Sequence, residues 1–109
     1  MPWLDLLSYL FGGAFLANAM PHVISGMMGR PFQSPFAKPS GEGLSSSTIN
    51  VLWGSLNIVI GYLLVCRVGH FGLRHTLDVT ALGTGAFLIA IFSARHFGRF
   101  HGGNQPKQP

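Results

Sequence analysis

The residues able to do chemistry in this chain are few: five histidines, three carboxylates and one thiol. Imidazole titrates near neutral pH and offers a lone pair, so His22, His70, His75, His96 and His101 could carry a proton or ligate a haem iron or a metal. Asp5, Glu42 and Asp78 are the only acids. A single cysteine, Cys66, excludes an intramolecular disulfide and a multi-cysteine metal site, and a small packing role suits it. No Ser-His-Asp arrangement, phosphate-binding glycine loop or zinc-ligand spacing is present. The histidine with the most unusual setting is His22. It closes the stretch Asn18-Ala19-Met20-Pro21-His22, inside a run without any charged side chain.

The elements that must position these residues are apolar. The 109 residues are 48% hydrophobic and 9% charged, where soluble domains average about 25% charged. No Asp, Glu, Lys or Arg occurs from Leu6 to Gly29, from Gly43 to Cys66 or from Val79 to Ala94. A bilayer is crossed by about 20 apolar residues. The third run reaches that length from Leu77 if Arg95 snorkels beside Phe97. These runs predict an all-α integral membrane bundle of three helices, at about residues 4–28, 48–66 and 77–97. Residues 1–101 form one membrane domain and 102–109 a disordered basic tail. The N-terminus has no basic n-region and no small-x-small cleavage pattern, so the first span is expected to remain in the mature protein.

Orientation follows from Lys and Arg. Arg67 and Arg74 lie on the side of the N-terminus, whereas Arg30, Lys38, Arg95, Arg99 and Lys107 lie on the other. The excess places the first loop and the tail in the cytoplasm and the N-terminus outside. The formal charge of +4 is then a membrane-surface charge, drawn to anionic lipid. Split between two sides, it gives no nucleic-acid surface. The same topology separates His70 and His75 from His22, His96 and His101, so a metal site using all five is excluded. Asp5 and Asp78 share a side with Arg67 and Arg74 and are expected to pair with them. With no carboxylate inside a span, a proton-coupled small transporter is the least favoured reading.

The first loop carries Pro31, Pro35 and Pro39 with Phe32 and Phe36 behind the first two. A four-residue proline period does not match the three-residue turn of polyproline II. The two aromatics are expected to enter the bilayer interface or cover the bundle end. Trp3 and Tyr9 are candidate interface anchors. Pro21 removes a hydrogen bond to Ala17 and should kink its helix. Gly29 should cap it.

Each span also carries a small or polar stripe at helical spacing. The first has Ala14, Asn18, His22, Ser25 and Gly29. The second has Asn50, Gly54, Asn57 and Gly61, and the third Gly83, Ala86, Ala90 and Ala94. Small residues let helices approach in lipid, so the stripes are expected to face one another. Asn18, His22, Asn50 and Asn57 then have two readings. One is interhelical hydrogen bonding, at about 0.6 kcal/mol per contact. The other is a ligand, quinone or haem site, since ionisable groups within membranes often mark function.

The block from "NAMPH" through "GRPFQSPFAKPSGEGLSSSTINVLWG" resembles a family of small uncharacterised bacterial multi-pass inner-membrane proteins. That resemblance implies a bacterial inner-membrane location and supplies no activity to carry over. A second, looser resemblance is to the cytochrome-b membrane anchor subunits of succinate dehydrogenase, carried by Gly72, Arg74, His75 and Asp78 in "HFGLRHTLD" and by "RPFQSP". It implies haem ligation, with His70 and His75 as the candidates beside His22, which its place within a span already singles out. The spacing departs from that family's pattern, and His70 and His75 fall in a link rather than a span. No cofactor is predicted from the residues themselves. The function expected is a non-catalytic accessory or scaffolding subunit of a larger membrane complex, with the bilayer, other membrane subunits or further copies as partners. The alternative is a haem- or quinone-binding redox subunit.

Overall fold

The computed structural model describes residues 2–107. Helix α1 spans Pro2–Met27, α2 Ser47–Cys66 and α3 Thr76–His101, and all three are long and apolar enough to cross a membrane. Helix α1 runs through Pro21 unbroken. It ends in a Schellman turn, where Gly29 takes φ 72°. Arg30 N donates to Ser25 O and Gly29 N to Gly26 O, which satisfies carbonyls the helix end would otherwise orphan. Ser46 caps α2 by accepting from Ile49 N at 3.2 Å. Helix α3 continues a turn past the expected end at residue 97 and stops at Gly102, in the left-handed region at φ 78°. The first residues of the expected disordered tail fold back. Asn104 Nδ2 donates to Arg95 O at 2.9 Å, over Gly98. Residues 108 and 109 lie outside the described residues.

The first loop departs from a purely helical architecture. Strands β1 (Phe32–Gln33) and β2 (Leu44–Ser45) pair antiparallel, with Phe32 opposite Ser45 and Gln33 opposite Leu44. Inside them, Ser34 N donates to Gly43 O and Gly41 N to Ser34 O, and the Pro39 carbonyl accepts from Glu42 N and Gly43 N. Prolines at 31, 35 and 39 cannot donate, yet none stands in the two-rung ladder. The Pro/Phe stretch is therefore a short hairpin.

The helices do not form a mutual bundle. Helix α1 lies between α2 and α3 and packs on both, while α2 and α3 scarcely touch. On one side, α2 buries Asn50, Gly54, Asn57 and Gly61, joined by Val65. The approach is backbone-close, because a methyl at Gly54 would meet Val23 and the Ala19 carbonyl. On the other side, Gly13 and Gly85 bring α1 and α3 into direct backbone contact: a methyl at Gly85 would sit on the Leu10 carbonyl, and one at Gly13 on the Leu82 carbonyl.

This corrects the third stripe. Gly83 has nothing near it and, with Ala90 and Ala94, is exposed; only Ala86 reaches the contact. Gly85 decides the docking face, because it alone on α3 lets the two backbones meet. The expected pairing of Asp5 and Asp78 with Arg67 and Arg74 is also absent among the described residues. Asp78 Oδ2 instead accepts from Gly72 N at 3.1 Å and lies 3.2 Å from His75 Nδ1. Tyr9 is buried edge-on against Phe71 rather than anchoring at an interface, and Cys66 is exposed.

Candidate functional site

Polar groups gather where the hairpin closes one end of the helices. Asn50, fully buried one turn into α2, donates from Nδ2 to the carbonyls of Phe32, Ser45 and Ser46 at 3.1–3.2 Å. Those acceptors fix the amide orientation, so its Oδ1 faces His22 Nδ1 at 2.7 Å and must accept from it. The imidazole is thereby set with its proton on Nδ1 and its lone pair on Nε2. Around the ring, Phe32, Trp53 and Phe97 stand edge-on with centroids at 5.5, 6.4 and 6.0 Å.

One turn deeper, the same logic applies to an asparagine pair. Asn57 Nδ2 donates to Trp53 O at 2.8 Å, so its Oδ1 accepts from Asn18 Nδ2 at 3.0 Å. Asn18 Oδ1 is left over. Neither it nor His22 Nε2 has a partner among the described residues, and neither is sealed, since among the non-exposed residues described Trp53 Nε1 is the one sealed side-chain nitrogen or oxygen without a partner.

The hairpin is tied to α3 by histidines in turn. His96 Nε2 lies 2.7 Å from Gly41 O, and His101 Nε2 lies 2.8 Å from Gln33 Oε1 while its ring stacks on Phe32 at 5.2 Å. Arg99 meets Glu42 at 3.2 Å, an exposed pair of little weight. The two loop aromatics have divided roles. Phe32 is buried over the bundle end beneath His101. Phe36 is 63% exposed and touches Trp53 edge-on at 5.2 Å.

Two clefts meet at Asn18 and Trp53. The outer one, about 250 Å³, lies under the hairpin and is lined by His22, Gln33, Ser34 and His96 among others. The inner one, about 360 Å³, runs along α1 between α2 and α3, walled by Phe11, Phe15, Asn57 and Ile89. It exists because α2 and α3 do not close on each other.

Of the candidate haem ligands, His22 stands apart from His70 and His75. Those two border a separate cleft at the far end, beside Asp5, Tyr9 and Asp78, where His75 serves the start of α3. No group of three or more His, Cys, Asp or Glu side chains that could hold a metal occurs among the described residues. A haem does not fit at His22. His22 is boxed edge-on by three aromatic rings, and a porphyrin disc needs open space all around Nε2. The roles of His96, His101 and Gln33 escaped the sequence reading. They join positions 55 and 68 residues apart, and no periodicity links them. No family model matches this chain, no curated protein matches it, and no solved structure matches its fold.

Proposed function

We propose that this chain is a multi-pass protein of the bacterial inner membrane, with its N-terminus outside and its hairpin and C-terminus in the cytoplasm. There it acts as a non-catalytic accessory or scaffolding subunit of a larger membrane complex. The observation that carries this reading is the exposure of α3. Only 6% of its most apolar window is buried, against 28% for α1 and for α2. Gly83, Ala90 and Ala94 lie on the uncovered side, where small residues would admit another helix at close range. The polar groups of the interior are committed mainly to helix–helix and helix–loop hydrogen bonds.

Purification from native membranes in mild detergent tests this. A stable complex, with a partner or with further copies, is expected, and Gly83→Leu should dissolve it while leaving the thermal midpoint of the isolated chain unchanged. A lone monomer in every mild detergent overturns the reading. Orientation is checked by Ser40→Cys, which should react with impermeant maleimide only from the cytoplasmic face.

A further inference from the structure

The two clefts share Asn18 and Trp53 in their walls and differ in the groups that line the rest. Under the hairpin the walls are mainly apolar, with Trp53, Phe92 and Phe97, but polar side chains are set among them at His22, Gln33, Ser34 and His96. Deeper along α1 the walls become Phe11, Phe15 and Ile89. If the helices span a bilayer as proposed above, the polar end lies at the membrane surface and the apolar shaft points towards its middle. That is the polarity of a lipid in its leaflet.

The hydrogen-bond demand of the polar end is also defined. The carbonyls that hold Asn50 turn its Oδ1 onto His22 Nδ1, leaving Nε2 as an acceptor. The carbonyl that holds Asn57 does the same for Asn18, leaving Oδ1 as an acceptor. Asn18 and His22 lie one turn apart on α1 and both line the outer cleft. Gln33, across the cleft, spends Oε1 on His101 and keeps its amide N–H groups. A hydroxyl suits acceptors and a donor that line one cleft, since it gives its one proton to either acceptor and can accept from the Gln33 amide. An ether or ester oxygen alone would leave both acceptors unmatched, and an unmatched polar group is costly away from water.

We propose that the groove from the hairpin to Ile89 binds a neutral, long-tailed lipid with a hydroxyl head, whose O–H donates to His22 Nε2 or Asn18 Oδ1 and whose tail fills the shaft between α2 and α3. Isoprenoid quinols and diacylglycerols share this chemistry. The site is independent of the assembly reading: a chain without partners can still bind, and a complexed chain can fail to.

The experiment uses the full chain in detergent with Trp3→Phe, so that Trp53, in the wall of both clefts, is the only tryptophan emitting. The probes are a decyl-tailed 1,4-benzoquinol kept reduced, its bis-methyl ether, and 1,2-dioctanoylglycerol. At least one hydroxyl probe should change Trp53 emission saturably and bind at least about tenfold more tightly than the ether, the scale of one lost hydrogen bond. Whichever of the two binds better identifies the source. The combined His22→Phe and Asn18→Leu exchange should remove that preference. Ile89→Trp, which fills the shaft and touches no polar group, should abolish binding of every probe and keeps the test open if the polar variant does not fold. No saturable binding by either hydroxyl probe, equal binding of the ether, or undiminished binding to Ile89→Trp overturns the proposal.

Discussion

The two faces of α1 hold their neighbours by different means. Towards α2 the contact is long and mixed, with Asn18 on Asn57, His22 on Asn50, Ser8 Oγ on Leu64 O at 2.6 Å, and glycines at 12, 54 and 61 between them. Towards α3 the contact is nearly as extensive but made by shape alone: Gly13 and Gly85 bring the backbones together, Phe97 meets His22 edge-on, and no side-chain hydrogen bond joins α1 to α3 among those of the described residues. One interface is specified by matched donors and acceptors, which fix register as well as proximity. The other is specified by shape. In a bilayer, where apolar helices gain nothing by hiding from lipid, these are the two means available.

The sharpest way to break the comparison is Gly85→Leu. A side chain there collides with α1 backbone that cannot turn aside, and the cost should be about 3 kcal/mol. Hydrogen exchange is expected to show α3 losing protection while α2 keeps it. Equal loss in both would mean that the two interfaces are one cooperative unit. Next is Asn50→Leu, which strands the His22 N–H and removes the side-chain donor shared by the Phe32 and Ser45 carbonyls. About 2 kcal/mol should be lost in thermal unfolding followed by circular dichroism. The amides of Ser34 and Gly41 should exchange faster, because their hairpin loses its anchor on α2. The mildest is Asn57→Leu, which should lower stability by about 0.6 kcal/mol, since Asn18 is half-buried and can turn to the cleft. A loss as large as that of Asn50→Leu would show that the α1–α2 hydrogen bonds act in concert.

The helices were legible in the sequence because apolar runs and missing charges are local properties. So was the α2 stripe, where steps of four, three and four hold a buried line from Asn50 to Gly61. The α3 stripe misled because Gly83 and Gly85 are equally small, and only the position of Leu10 and Gly13 across the interface distinguishes them. Periodicity finds a face but not which neighbour takes it. At the candidate site, His22, Asn18, Asn50 and Asn57 stood out as polar residues in apolar runs. Their pairing did not, because Asn50 answers to loop carbonyls that no helical pattern contains. The β1–β2 hairpin was hidden by three prolines, which mark a loop without saying that its ends will pair.

The ties between the hairpin and α3 also set an order of events. Gly41 waits for His96 and Gln33 waits for His101, 55 and 68 residues later in the chain. Closing such distant contacts is slow relative to forming a helix, and synthesis proceeds from the N-terminus at about 5–20 residues per second. While α1 and α2 can pair as soon as both have emerged, the hairpin stays untied from α3 until the last turn of that helix leaves the ribosome. For those seconds the cleft beside His22 lacks its α3 wall, and the late-arriving turn acts as the latch of the whole assembly.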